Sequence, residues 1–159
     1  MANCVSSRTN IMDIRLAVYE DAGRLVEFNQ AMAMETEGKA LDASILKAGV
    51  ENVFSDNDKG FYVVAVDGDE IVGGLLVTRE WSDWRNNWFW WIQSVYIIEE
   101  FRGKQIYSRM YDFVKQMANK TGNVCGFRLY VEKENIHAQK VYKKLGMDET
   151  YYLMYEEKV

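Results

Sequence analysis

Residues 99–107 read Glu-Glu-Phe-Arg-Gly-Lys-Gln-Ile-Tyr, a short basic turn between two regular patterns. The apolar and aromatic run of residues 90–98 favours a strand, and apolar residues at helical spacing from Ile106 onward indicate a helix. The first turn of a helix has unpaired backbone N–H groups, and its aligned peptide dipoles favour an anion there. Arg102, Lys104 and Arg109 add positive charge at the same place. The stretch therefore predicts a site for a phosphorylated ligand.

Two segments of the chain resemble the GCN5-related N-acetyltransferases (GNAT family). Residues 102–107, Arg-Gly-Lys-Gln-Ile-Tyr, are similar to the acyl-CoA-binding motif of that family, which reads Gln/Arg-x-x-Gly-x-Gly/Ala. Arg102 fits the first position, whereas Gln105 and Tyr107 replace the two small residues. Gly103 follows Arg102, as it often does in the family.

The second segment is residues 135–147, which resemble the C-terminal signature of the same family. Asn135 is followed by Ala138, by Tyr142 and by Gly146 with a large apolar residue after it. A run with apolar residues on alternate positions precedes the segment, as a strand should. Two motifs in the right order are far more specific than either one alone. The resemblance covers residues 11–157, which we expect to form a single acetyltransferase domain after a polar leader, residues 1–10.

The patterns along the chain predict the element order β-α-α-β-β-β-α-β-α-β. Asp67-Gly68 lies between two β-rich runs and signals a hairpin, and Asp42 is placed to cap the second helix. Strand runs within residues 147–157 complete the order. These patterns alone indicate an α/β or α+β domain. The resemblance implies a mixed, largely antiparallel sheet with helices on both faces.

Length, charge and composition exclude several classes of protein. A chain of 159 residues is the size of one domain, and its net charge of −5 argues against general nucleic-acid binding. Two cysteines and one histidine, His137, suggest neither a disulfide framework nor a metal site. No apolar run approaches the length of a membrane span, and residues 1–10 do not resemble a signal peptide. A cytoplasmic location is the default expectation.

The resemblance implies acetyl-CoA as the acyl donor. Backbone N–H groups of the basic turn would face the diphosphate, and a backbone N–H of the preceding strand would polarise the thioester carbonyl. The residues expected to bind the cofactor are Val95, Tyr96, Ile97, Arg102, Gly103, Lys104, Gln105, Ile106, Tyr107, Asn135 and Ala138.

The resemblance implies that Tyr142, which shares one helical face with Asn135 and Ala138, is the proton donor to the leaving thiolate. The same spacing also suits an ordinary core stripe. Glu80, at the end of a predicted strand beside the tryptophan cluster, is the first candidate for the base that deprotonates the amine. An exposed strand-end carboxylate is the alternative for Glu80. The other candidates are a water chain and the carboxylates Glu35, Glu37, Asp83 and Glu99.

A primary amine of unknown identity is the expected acceptor. Its binding residues are predicted to be Glu35, Glu37, Trp81 and Asp83, because carboxylates pair with ammonium and indole faces attract cations. The tryptophans could equally fill the core or a homodimer interface. Two alternative functions are a non-catalytic acyl-CoA sensor or interaction module and an unrelated α/β nucleotide-binding protein. The sequence lacks the glycine-rich phosphate-binding motifs that the nucleotide-binding alternative would require.

Overall fold

The computed structural model describes residues 12–159, so the predicted leader, residues 1–10, lies outside the described residues. Contacts divide the chain into two units, one ending at Leu129 and one running from Tyr130 to Val159.

In the first unit the described elements are β1 (Asp13–Leu16), a 3₁₀ turn (Tyr19–Asp21), α1 (Ala22–Glu37), α2 (Ala43–Ser55), β2 (Phe61–Asp67), β3 (Glu70–Ser82), β4 (Asn87–Ile97), a second 3₁₀ turn (Glu99–Phe101), α3 (Ile106–Thr121) and β5 (Val124–Arg128). In the second unit the described element is α4 (Ile136–Lys144). The predicted order is therefore followed as far as α4.

The predicted final strand within residues 147–157 is not formed. Residues 147–159 contain neither helix nor strand, and every side chain from Asp148 to Val159 is exposed. Residues that favour β-structure form a strand only where one face is buried and the backbone has a neighbouring strand with which to hydrogen-bond. The observed order thus ends at α4.

The five strands form one sheet in the order β1-β2-β3-β4-β5. The first three pairings are antiparallel, and β4 pairs with β5 in parallel after the chain crosses over through α3. Gly68, with φ of 62°, lies in the tight turn between β2 and β3, which confirms the hairpin. This mixed, mostly antiparallel sheet confirms the predicted fold class.

Helices cover both faces of the sheet, as two neighbouring glycines of β3 demonstrate. A Cβ added at Gly74 would lie 2.9 Å from Leu25 Cδ2 in α1, whereas one at Gly73 would lie 3.5 Å from Ile106 Cγ2 in α3. Successive residues of a strand point to opposite faces. We call these the α1 face and the α3 face. The core on the α1 face includes Phe28 and Tyr62.

Two aspartates stabilise the N-terminal ends of the first two helices. Asp42 accepts hydrogen bonds from the amides of Ser44 and Ile45 at 2.9 and 3.0 Å, so it caps α2 as predicted. Asp21, only 7% exposed, accepts from both terminal nitrogens of Arg15 at 2.6 and 3.1 Å. Burial alone would raise the pKa of Asp21, but hydrogen bonds from Arg15 and the Val18 amide lower it overall. This carboxylate ties β1 to the start of α1.

Candidate active site

The basic turn before α3 contains a run of backbone N–H groups that have no acceptor among the described residues. Gly103 and Gln105 have positive φ, 75° and 61°, and α3 begins at Ile106. A Cβ on Gly103 would meet no atom within 4 Å. Among residues 12–159, no protein group accepts a hydrogen bond from the amides of Gly103, Lys104, Gln105 or Ile106. Successive free amides at a helix N-terminus form an anion-binding site.

The two departures from the family motif leave the backbone of this turn intact. Gln105 adopts the left-handed conformation, which a glycine would adopt without strain and which costs another residue about 1–2 kcal/mol. Tyr107 is 9% exposed and stacks on Tyr111, with ring centroids 6.2 Å apart and planes 5° apart. Its ring therefore belongs to the core of the first unit.

The cations expected to surround the turn have other partners. Lys104 Nζ lies 4.5 Å from the centre of the Phe101 ring, and Arg109 donates to the Met12 carbonyl at 2.6 Å. Arg102 donates from Nε to the Ile97 carbonyl at 2.8 Å and from a terminal nitrogen to both oxygens of Glu35. The amides, rather than these side chains, are the turn's unsatisfied groups.

Strand β4 contains a bulge before it reaches the turn. Gln93 pairs with Leu76 and Tyr96 with Gly74, so three steps along β4 match two along β3. Ser94 lies in the extra step with φ of +50°, a conformation rare for residues other than glycine. A bulge bends its strand and re-aims the backbone groups beside it.

The bulge lies where β4 and β5 separate. β4 pairs with β5 only from Trp88 to Trp91. Further along, the Ile98 amide donates to Val72 on the opposite side, at 3.0 Å. Because alternate amides of a strand face the same neighbour, that of Ile97 points to the edge that faces away from β3, whereas Val95 lies in the bulged step, where this alternation is interrupted. The three sequence candidates for the polarising amide, Val95, Tyr96 and Ile97, thus differ in orientation.

Polar side chains form a row on the α1 face, beyond the region that α1 packs against. Glu80 accepts from Trp91 Nε1 at 2.5 Å and from Arg128 at 2.6 Å, so both of its oxygens are engaged. Nearer the bulge, Gln93 donates to the Thr78 hydroxyl at 2.6 Å. The Arg128 guanidinium carbon lies 3.7 Å from the centre of the Phe89 ring.

The residues predicted to bind the acceptor do not converge. Trp81 and Glu80 are neighbours on β3 and point to opposite faces of the sheet, and Trp81 packs edge-on against Trp88 with centroids 5.0 Å apart. Asp83 accepts from the amide of Trp84 in the turn between β3 and β4. Glu37 forms an ion pair with Lys39 at 2.5 Å.

Glu35, by contrast, contacts the basic turn. Its carboxylate accepts from the Tyr96 hydroxyl at 2.8 Å as well as from Arg102. Burial, and then the hydrogen bond to Glu35, raise the pKa of Tyr96. The phenol therefore keeps its proton at neutral pH and donates to the carboxylate.

In the second unit, the C-terminal signature builds a short capped helix. Asn135 is the N-cap of α4 and accepts from the Ala138 amide at 3.0 Å. At the other end Gly146 has φ of 88°, and the Met147 amide donates to the Tyr142 carbonyl at 3.0 Å. Burial raises the pKa of the Tyr142 phenol.

Several groups at the site escaped the sequence analysis. Ser94 gave no signal, because its residue type does not favour positive φ. Arg128 and Trp91 were visible only as strand residues, although a charged residue inside a strand of alternating apolar residues hints at a buried partner. Within residues 12–159, no three His, Cys, Asp or Glu side chains are grouped to hold a metal ion, and no helix is long and apolar enough to cross a membrane.

A sequence model of the acetyltransferase (GNAT) family matches residues 19–147. The structure of a possible acetyltransferase from Clostridium difficile 630 is 44% identical and superimposes with a TM-score of 0.87, over 94% of this chain and 98% of that chain. A search of curated proteins found no match.

Two more distant structures share the fold. A predicted acetyltransferase from Clostridium acetobutylicum, solved with acetyl-CoA, is 20% identical, with a TM-score of 0.76 over 92% of this chain and 96% of that one. AAC(6')-Iy, in complex with the bisubstrate analogue CoA-S-monomethyl-acetylneamine, is 16% identical, with a TM-score of 0.74 over 94% of this chain and 99% of that one.

Proposed function

Because the chain belongs to the acetyltransferase (GNAT) family and is an acetyl-CoA-dependent acyltransferase, we propose that it acetylates a primary amine by direct attack of the amine on the thioester. Acetyl-CoA supplies the activated acetyl group and a thiol leaving group. The chain must then bind the donor, polarise its carbonyl, accept a proton from the amine and return one to the thiolate.

The residues of the basic turn fit the diphosphate of coenzyme A. The amides of Gly103, Gln105 and Ile106 have no protein acceptor in the described part of the chain, and the space above Gly103 is open. These amides would hold the diphosphate at the N-terminus of α3, with the Tyr107 amide beside them. Lys104 adds a screened surface charge of small effect.

The separated end of β4 suits the thioester arm. The Ile97 amide points to the edge where β5 no longer pairs, and Val95 lies in the bulged step two residues before it. We propose that the Val95 amide, next to the bulge, donates to the carbonyl oxygen as charge develops on it. A fixed backbone donor of this kind stabilises such charge without reorganising. The Ile97 amide would pair with the extended arm as a strand would.

Proton transfer is assigned to two side chains. Tyr142 would give its phenolic proton to the thiolate, and its raised pKa keeps that proton in place at neutral pH. Asn135 and Ala138 would border the ligand on the same helical face. Glu80 would receive the amine proton, through water, because Arg128 and Trp91 occupy both of its oxygens.

One observation supports the proposal most strongly, the run of unsatisfied amides in the turn before α3. Titration calorimetry with coenzyme A and acetyl-CoA tests it directly. A ligand that binds only the folded protein adds about 2.7 kcal/mol to the unfolding free energy at 100 times its Kd. We expect a matching rise in melting temperature. The absence of binding at millimolar ligand would refute the proposed cofactor site.

A non-catalytic acyl-CoA sensor is the second candidate. The engagement of Glu80 by Arg128 and Trp91 favours it, since a carboxylate with both oxygens occupied is a poor direct base. Steady-state release of thiol with a panel of amines separates the two functions. Release that depends on the amine supports the enzyme, whereas binding without release supports the sensor.

We also propose a cytoplasmic protein that does not bind nucleic acid, in keeping with the net charge of −5. The exposed indoles of Trp81 and Trp84, 49% and 87% exposed, suit a homodimer interface. Sedimentation velocity at micromolar concentration tests the oligomeric state.

A further inference from the structure

Three side chains from distant parts of the first unit meet at the basic turn. We call Glu35, Tyr96 and Arg102 the clasp. Glu35 lies in the last turn of α1, Tyr96 just after the bulge of β4, and Arg102 at the start of the turn. One Glu35 oxygen accepts from the Tyr96 hydroxyl at 2.8 Å, and both accept from Arg102 at 3.0 and 2.8 Å.

The clasp joins two parts of the proposed cofactor site. The Arg102 side chain extends back from the turn to the Ile97 carbonyl, at 2.8 Å, and its guanidinium lies 5.4 Å from the centre of the Tyr96 ring. The turn presents amides for the diphosphate, and the bulge presents amides for the thioester arm. A change in the clasp would therefore change the separation between these two sets of amides.

We propose that Glu35 is a positioning residue for acetyl transfer, which acts through Arg102 and Tyr96 to fix the diphosphate-binding turn against the bulged end of β4. This inference rests on the proposed function. Coenzyme A is a long ligand that would contact both sets of amides at once, so its binding depends on their spacing. A misplacement of about 1 Å can cost a reaction about a hundredfold in rate.

The geometry separates this role from direct binding of the acceptor amine. Both Glu35 oxygens already accept hydrogen bonds from Tyr96 and Arg102. An ammonium group would have to compete with a guanidinium that is held at three points. The carboxylate of Glu35 is thus matched in charge by Arg102 and serves the donor side of the site.

The test compares whole coenzyme A with one half of it. Glu35→Gln keeps the length of the side chain and puts an amide nitrogen where Arg102 needs an acceptor. We expect Glu35→Gln to weaken coenzyme A binding about threefold to fivefold, the range of a partly exposed ion pair, and to lower kcat about tenfold. Affinity for the phosphoadenosine diphosphate half, which contacts only the turn, should change less than twofold.

Two variants complete the design. Glu27→Gln removes another α1 glutamate that is paired with an arginine, Arg24 at 2.7 Å, and should leave both affinities and kcat unchanged. Tyr96→Phe removes only the hydroxyl and should reproduce part of the effect. Because the three residues act as one unit, Tyr96→Phe combined with Glu35→Gln should cost less than the sum of the two single changes.

Four results would overturn the inference. Equal losses of affinity for coenzyme A and for its phosphoadenosine diphosphate half in Glu35→Gln would confine the effect to the turn. Unchanged coenzyme A binding and kcat in that variant would show that Glu35 has no positioning role. A rise in the KM for the amine with unchanged coenzyme A binding would assign Glu35 to the acceptor. Failure of the unaltered protein to bind coenzyme A would instead refute the proposed function, and this inference with it.

Discussion

Substitutions at Ser94, in the bulge of β4, can separate the effect of backbone conformation on catalysis from the effect of the side-chain hydroxyl. The φ of +50° at Ser94 costs a residue with a Cβ about 1–2 kcal/mol, whereas glycine adopts it without that cost. Glycine in turn loses about 0.5–1 kcal/mol of chain entropy on folding. We therefore expect Ser94→Gly to raise the unfolding free energy by up to about 1 kcal/mol, which is about 2–4 °C in Tm for a chain of this size. Its kcat should match that of the unaltered protein.

Valine at the same position should have the opposite effect. A β-branched side chain at positive φ is strained by about 1–3 kcal/mol, so Ser94→Val favours a flattened strand in regular register with β3. The Val95 amide would then lose its orientation towards the thioester. Loss of one donor of this kind lowers kcat about 10²–10³-fold. Thiol release measured below the Tm of the variant, with coenzyme A binding measured alongside, tests this.

Ser94→Ala is the matched control. Alanine has about the same conformational cost as serine at positive φ but lacks the hydroxyl. We expect its kcat to stay within about twofold of the unaltered protein. A loss in Ser94→Ala as large as in Ser94→Val would show that the hydroxyl matters and not the backbone. Full activity in folded Ser94→Val would refute the assignment of the polarising amide to the bulge.

Four further substitutions test the remaining parts of the site and the fold. Gly103→Val should weaken coenzyme A binding about tenfold or more in calorimetry through lost amide contacts, whereas Lys104→Ala should change it little, and equal losses would contradict the role of the amides. Tyr142→Phe should lower kcat about 10²–10⁴-fold with unchanged Tm, and normal turnover would remove Tyr142 from the mechanism. The lowered pKa of Asp21 beside Arg15 means that its contribution to stability is complete above about pH 4 and lost as the pH falls through the lower folded pKa. Asp21→Asn should thus cost about 1–3 kcal/mol in urea unfolding at neutral pH, and a difference that does not narrow as the pH is lowered would contradict this origin.

Local signals in the sequence predicted most of the fold correctly. The hairpin at Gly68, the cap at Asp42 and the helix of residues 136–144 all depend on residues within a few positions of one another. The predicted strand in residues 147–157 was wrong because a run of β-favouring residues shows only that a segment could pair. Whether a strand forms depends on a neighbour that lies elsewhere in the chain.

The contacts that organise the candidate site are long-range, and no local pattern encodes them. Glu35 and Arg102 are 67 positions apart, and Glu80 and Arg128 are 48 apart. Each pair forms only after the sheet has brought its elements together. Sequence reasoning selected Glu35 and Glu80 for their charge, but their partners decide which side of the reaction each could serve.

The arrangement of the sheet also has a consequence for how the chain folds. Each strand lies beside its neighbours in the sequence, so hairpin formation between β2 and β3 and between β3 and β4 closes only short loops. The parallel pairing of β5 must wait for the crossover through α3, which closes a longer loop at a greater entropic cost. Since the chain contains no proline, no slow prolyl isomerisation delays these steps. The antiparallel run β2-β3-β4 should therefore form first in a fast refolding reaction. The separated ends of β4 and β5, which are proposed to receive the thioester arm, should be completed after it.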